Sequence, residues 1–180
     1  MIKQAFLLIS LFATSLLFSQ NYIPIDKGSE IKFAIKNLGI STSGSISGIK
    51  GSINYKLADP NSASFNVSID ANSVNTGNSL RDGHLKKESY FNVKQFPKIS
   101  FVSKNVSLNN TTHMLQATGT LTIKGVSKEI TFPFMVSQQG DGLLFKATFP
   151  LNRKDFNVGG SSLTLSDEVR VSIIVFASKV

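Results

Sequence analysis

The sequence predicts an all-β domain, an antiparallel barrel or sandwich carrying one short helical insert. Three observations predict it. Apolar and polar residues alternate with period two through most of the chain. Turn-forming residues separate the alternating runs at short spacing. A single segment, residues 79–90, breaks the alternation. Period-two patterning places one apolar face inward on each strand.

The alternation is legible run by run. Ile31, Phe33 and Ile35 alternate with lysines, and Phe65, Val67 and Ile69 alternate with Asn66, Ser68 and Asp70. Ile99 and Phe101, then Leu121 and Ile123, continue it, followed by Ile130, Phe132 and Phe134 and by Phe145, Ala147 and Phe149. The last run, Val169 to Ala177, differs. Ile174 and Phe176 make its second face apolar as well, which predicts cover by a partner subunit in a homodimer. Strands of about eight residues, tilted by about 40°, would make a lumen on the order of 20 Å tall, room for roughly 15 extended carbons.

Asp59-Pro60-Asn61, Asn109-Asn110, Gly140-Asp141-Gly142 and Gly159-Gly160 punctuate the runs. Four glycines crowd residues 39–51, where bulges and bends are expected. In the 79–90 segment, Leu80 and His84 are four apart and share one side of a short helix, which Asn78 or Ser79 can cap. The helix must end before Phe96-Pro97.

Lys3 precedes an apolar run from Ala5 to Phe18, closed by Ser19. This is the pattern of a secretory signal peptide, with cleavage expected after Ser19. The run falls short of the roughly 20 residues of a membrane span. Residues 1–19 are therefore assigned as leader, residues 20–180 as one domain, and the location as periplasmic or secreted. The chain has no Cys, which excludes thiolate catalysis, Cys-ligated zinc, iron–sulfur clusters and a lipid anchor at cysteine. The net charge of +8 comes from 19 basic and 11 acidic residues. The basic residues are scattered rather than gathered on one face, so no nucleic-acid partner is expected, and at most a weak attraction to anionic membrane surfaces.

Few residues point to chemistry. His84 is the natural candidate for a general base or metal ligand, but His113 is the only other histidine, and no companion sits at ligand spacing. Gly44-Ser45-Ile46-Ser47-Gly48 has Ile46 where the serine nucleophile would stand and lacks the elbow context. No glycine loop precedes a helix to cradle phosphate. No cofactor, metal or catalytic residue is expected, although a lipid-acting enzyme remains a third alternative. The strand phenylalanines are open to two readings, ordinary core packing or the wall of a ligand-holding lumen, because a small barrel accommodates either.

Several blocks carry a family resemblance. They are Asp70 to Asn78, Arg81-Asp82-Gly83-His84-Leu85, Tyr90-Phe91-Asn92, Phe96-Pro97-Lys98-Ile99-Ser100-Phe101, Gly119 to Val126, Arg153-Lys154-Asp155-Phe156 and Asp167-Glu168-Val169. From about Tyr22 to Lys179 the chain resembles the YceI-like family. The resemblance implies an extended, lipocalin-like, eight-stranded antiparallel barrel. It also implies an exported protein that binds a polyisoprenoid or another long amphiphile in the lumen without bond chemistry, several members being dimers. Four positions depart from the family pattern: Tyr22, Asn37, Ile46 and Asn157 stand where Trp, His, Phe and Gly are usual. With the resemblance, Phe33, Phe65, Phe101, Phe132 and Phe145 are expected in the lumen wall. Arg81, Asp82, His84 and Arg153 are expected at the polar rim. The rival expectation is a protein-interaction module whose interior is filled.

Overall fold

The computed structural model describes residues 20–180, and the expected leader lies outside them. Nine strand segments follow one another: β1 (Asn21–Asn37), β2 (Ile40–Ile46), β3 (Lys50–Asn54), β4 (Ser64–Asp70), β5 (Lys98–Leu108), β6 (Leu115–Ile123), β7 (Val126–Gln139), β8 (Gly142–Asn152) and β9 (Leu165–Lys179). Every neighbouring pair is antiparallel, and β1 pairs with β9 to close the sheet. β2 pairs with the second half of β1 and β3 with its first two residues, so both share one side of β1. The nine segments thus make an eight-stranded barrel. Closure removes the free edges that an open sheet would expose.

The alternating runs all form strands. Most are longer than expected, and β1, β7 and β9 most of all, with 17, 14 and 15 residues. At about 3.3 Å per residue and a tilt of about 40°, β9 alone spans on the order of 40 Å along the barrel axis. The first half of β1 was not legible, because Asp26-Lys27-Gly28-Ser29-Glu30 is polar throughout. The structure shows a bulge there, where the register with β9 slips between Ile25 and Glu30. The Ser29 hydroxyl fills in for the ladder: it accepts from the Phe176 N–H at 2.9 Å and donates to the Ile25 carbonyl. β2 was equally hidden, since Ser41-Thr42-Ser43-Gly44-Ser45 carries no apolar alternation.

The glycine-rich stretch bends as expected. Between β2 and β3 the Asp26 carboxylate accepts from the Gly48 and Ile49 N–H groups, at 3.0 and 2.9 Å from Oδ1. Gly51 has φ +132°, and a Cβ there would collide with the Asn66 carbonyl of β4.

Helix α1 (Ser79–Leu85) lies in the long β4–β5 connection and passes into turns up to residue 90. Asn78 is its cap, its side-chain oxygen accepting from the Arg81 N–H at 3.0 Å. The connection is tied to the edge of β2 by paired backbone bonds between Ser45 and Asn75, 2.8 and 3.0 Å long.

The core is divided along the barrel axis. At the end holding the first residues of β1, Tyr22, Ile53, Tyr55, Phe134, Leu143 and Phe145 form a filled plug. Its rings meet edge to face, Tyr55 with Phe145 at 5.6 Å and Phe65 with Phe134 at 5.5 Å. At the α1 end a second cluster holds Ala71 and Val74 together with Ile46, Ile99, Leu121 and Phe156, and these last four line a cavity wall rather than filling the centre.

The outer face of β9 is partly covered by the chain itself. The β1 bulge brings Gly28 against Phe176, and Gly142 lies under the same ring. Phe176 also continues a row of outward apolar residues across three strands, between Ile25 of β1 and Leu144 of β8.

Candidate ligand-binding cavity

The barrel holds a cavity of about 480 Å³ beneath α1. A second, narrower cavity of about 130 Å³ lies deeper, toward the plug. The two share wall residues, among them Val67, Phe101, Leu121, Phe149 and Val175, and so lie end to end along the barrel. The size of the upper part falls within the usual range for small-molecule sites, roughly 300–1,000 Å³. Its wall is apolar because the inward positions of successive strands are apolar, the direct outcome of period-two patterning.

The five expected wall phenylalanines divide between the two parts. Phe33 and Phe101 line the upper cavity; Phe65, Phe101, Phe132 and Phe145 line the lower one. Phe132 stacks on Phe149 with centroids 4.4 Å apart and meets Phe101 at 5.2 Å. This trio forms a neck between the two volumes. Phe149 belonged to the alternating pattern but was not singled out in the sequence. Ile173 and Val175 also line both parts and follow from the inward face of the last run. Tyr90, Phe91 and Phe156 line the upper cavity too, but they come from turns and from the single 3-10 turn after β8, where no periodicity points inward.

The four expected rim residues behave differently from one another. Arg81 and His84 line the upper cavity from α1 and are exposed. Asp82 is not in the wall. Its carboxylate accepts from the Thr76 N–H at 2.8 Å and from the Thr76 hydroxyl at 2.6 Å. Arg81 reaches the same residue, donating from Nε to the Thr76 hydroxyl at 2.8 Å and from Nη2 to its carbonyl at 3.1 Å. Arg81, Asp82 and Thr76 thus fasten α1 to the segment that precedes it, next to the Ser45–Asn75 bridge. The hydrogen bond from the Thr76 hydroxyl holds the Asp82 carboxyl below its ordinary pKa. His84 packs edge-on against Tyr90 at 5.1 Å.

Arg153 lies in the wall but is buried, and its five N–H donors are all engaged. Nε donates to Ser166 O, Nη1 to Val158 O and Gly160 O, and Nη2 to Leu165 O and the Asp167 carboxylate. Lys154 holds the other Asp167 oxygen at 2.9 Å. This guanidinium organises the β8–β9 connection and keeps no donor for a ligand. Asn157, one of the departures from the family pattern, has φ +54°. A left-handed residue at that turn explains why glycine is usual there, and asparagine is the next best tolerated. Ile46 and Asn37, two further departures, both line the upper cavity.

No Asp or Glu contributes to either wall, whereas Lys32, Arg81, His84 and Arg153 line the upper part. Among the described residues no group of three His, Asp or Glu side chains is placed to hold a metal. None of their helices is long and apolar enough to cross a membrane.

A closed antiparallel barrel plugged at one end, with an apolar chamber open under a helix at the other, defines a lipocalin-like binding barrel. The chain belongs to the YceI-like family: the YceI-like domain matches residues 24–177. Protein YceI of Salmonella arizonae is 33% identical over 175 residues, covering 92% of this chain and 90% of that protein. BcnA of Burkholderia cenocepacia superposes with a TM-score of 0.77 at 25% identity, covering 83% of this chain and 96% of that one. The YCEI protein of Campylobacter jejuni gives 0.65 at 30% identity, over 76% and 84% of the two chains. A polyisoprenoid binding domain from Saccharophagus degradans shares the fold, with a TM-score of 0.68 at 16% identity over 91% and 100%.

Proposed function

We propose that this protein is an exported carrier or scavenger, periplasmic or secreted, that holds the chain of a polyisoprenoid or another long amphiphile in its lumen without bond chemistry. The observation that carries this reading is the pair of adjoining apolar cavities, about 480 Å³ opening under α1 and about 130 Å³ beyond the phenylalanine neck. A hydrocarbon chain fits such a space because each methylene removed from water contributes about 0.8 kcal/mol before ordering and association costs. Dispersion and desolvation read the chain only broadly, so selectivity rests on length and on the head group. With no carboxylate in the wall and Arg81 and His84 at the opening, a neutral or anionic head suits the rim.

The non-enzymatic reading draws support from the polar side chains themselves. Asp82 and Arg153 are committed to protein partners, which leaves no acid–base pair facing the chamber. The open chamber also weighs against an interaction module with a filled interior. Two copies are proposed to pair side by side across the outward row Ile25, Phe176 and Leu144 with Ile174 beside it. The test of the carrier reading is uptake by delipidated, folded protein. Prenyl or fatty-acyl chains should bind at micromolar concentration, about −8 kcal/mol; no uptake of either class would leave the interaction module as the better account.

A further inference from the structure

Leaving aside the C-terminal Val180, four large apolar side chains stand out among the described residues as the most exposed. They are Leu163 at 106%, Leu80 at 86%, Leu38 at 74% and Ile40 at 72%, with Met135 next at 58%. All four sit around the mouth of the chamber. Leu38 and Ile40 form the tip of the β1–β2 hairpin, and Asn37 and Thr42 beside them line the upper cavity. Leu163 lies between two other wall residues, Ser162 and Thr164. The Leu38 N–H donates to the Thr164 carbonyl at 2.9 Å, joining the two tips. Leu80 precedes the wall residues Arg81 and His84 on α1.

Leu38 is also an unfavourable choice for its own turn. It has φ +50° and Gly39 has φ +77°, the two left-handed positions of a tight hairpin. Such turns favour Asn-Gly or Asp-Gly. The other non-glycine residues with positive φ among the described residues are Asn92, His113, Lys124 and Asn157, all polar; Leu38 is apolar, and its side chain packs on little. A local rule broken without a compensating contact points to a role outside the fold. The rim is basic as well. Its three segments, residues 36–47, 76–87 and 157–166, carry Lys36, Arg81, Lys86 and Lys87; of the carboxylates in or directly beside them, Thr76 holds Asp82 and the Arg153 and Lys154 cations hold Asp167, which leaves Glu88.

We propose that this rim docks on the surface of a bilayer containing anionic phospholipid, with Leu38, Ile40, Leu80 and Leu163 inserted below the headgroups and the lysines and Arg81 among them. Apolar tips ringed by cations match the two layers of such an interface. Docking would set the chamber mouth against the acyl region, so that an apolar chain passes between membrane and lumen without crossing water. That last step rests on the carrier reading; the docking itself does not.

The test is flotation of the purified protein with phosphatidylethanolamine–phosphatidylglycerol vesicles, compared with phosphatidylcholine vesicles. Binding should be stronger to the anionic vesicles and weaken as salt is raised. Leu38→Asn combined with Leu163→Ser should lower partitioning by about tenfold or more. Leu57→Asn, an exposed leucine beyond β3 at the plugged end, should leave it unchanged. Leu38→Asn should also keep or raise the melting temperature, because Asn suits the turn. Equal binding by the rim variant, equal loss with Leu57→Asn, or no vesicle binding by the unmodified protein would each overturn docking. Concentration-dependent self-association that the rim variant abolishes, without vesicle binding, would assign the rim to a second copy and overturn it too. Uptake of a prenyl chain from detergent solution separates the two ideas: it survives if docking alone is wrong and fails if the carrier reading is wrong.

Discussion

The Asp82 carboxylate takes both donors of Thr76, the backbone N–H at 2.8 Å and the hydroxyl at 2.6 Å, and so fixes the start of α1 over the chamber. The hydroxyl bond lowers the Asp82 pKa. A carboxyl whose folded pKa is depressed stabilises the fold fully above its unfolded pKa, near 3.8, and loses that contribution as pH falls through the lower, folded value. Amide exchange of α1, taken relative to the intrinsic rate at each pH, should therefore stay slow from neutral pH down to about pH 4 and quicken below it. Asp82→Asn should quicken it at neutral pH, with faster ligand release and little change at the plugged end. Slow α1 exchange in Asp82→Asn at pH 7 would show that Thr76 does not depend on the carboxylate.

Arg153 makes a different prediction, on stability. Arg153→Leu strands the carbonyls of Ser166, Val158 and Gly160 together with Asp167. The expected loss is about 3 kcal/mol, seen as a melting temperature roughly 10 °C lower. Arg153→Lys should recover only part of it, since one ammonium cannot reach acceptors spread over three directions. Calorimetry of both variants checks the order.

Phe132 forms the neck by stacking on Phe149 and meeting Phe101. Phe132→Leu keeps an apolar wall, costs about 1 kcal/mol and widens the passage to the lower cavity. The variant should favour longer chains than the unmodified protein when both are offered a mixture of prenyl lengths. An unchanged length distribution would place the end of the bound chain above the neck.

The outward row on β9 bears on assembly. Ile174→Lys with Phe176→Lys should convert a dimer into a folded monomer, measured by sedimentation. Phe176 is already partly covered by the Gly28 bulge and sits over Gly142. A monomeric unmodified protein at high concentration would mean that this intramolecular cover is all the row requires.

The sequence revealed the barrel wherever inward residues are large and apolar, as in the Phe65–Ile69 and Phe145–Phe149 runs. It hid β2, a run of Ser, Thr and Gly from which Thr42 lines the cavity, and the β1 bulge, where the Ser29 hydroxyl replaces a ladder partner. Candidate wall residues on strands were legible for the same reason the strands were. Tyr90, Phe91 and Phe156 were not, because a turn has no period that aims a side chain inward. The rim residues showed a subtler gap. Arg81, Asp82, His84 and Arg153 stood out as a polar set, yet hydrogen bonding ties Arg81 and Asp82 to Thr76 and Arg153 to the β8–β9 connection, with Arg81 and His84 exposed at the mouth. Composition carries no signal for which donors a fold will use internally.

The most direct measurement is mass spectrometry of an organic extract from the protein purified without detergent. A linear prenyl or acyl amphiphile should appear at a stoichiometry approaching one per chain, lost on delipidation and regained from a mixture of such chains. Extracts with no lipid, from folded protein that also takes up neither class of chain after delipidation, would contradict it.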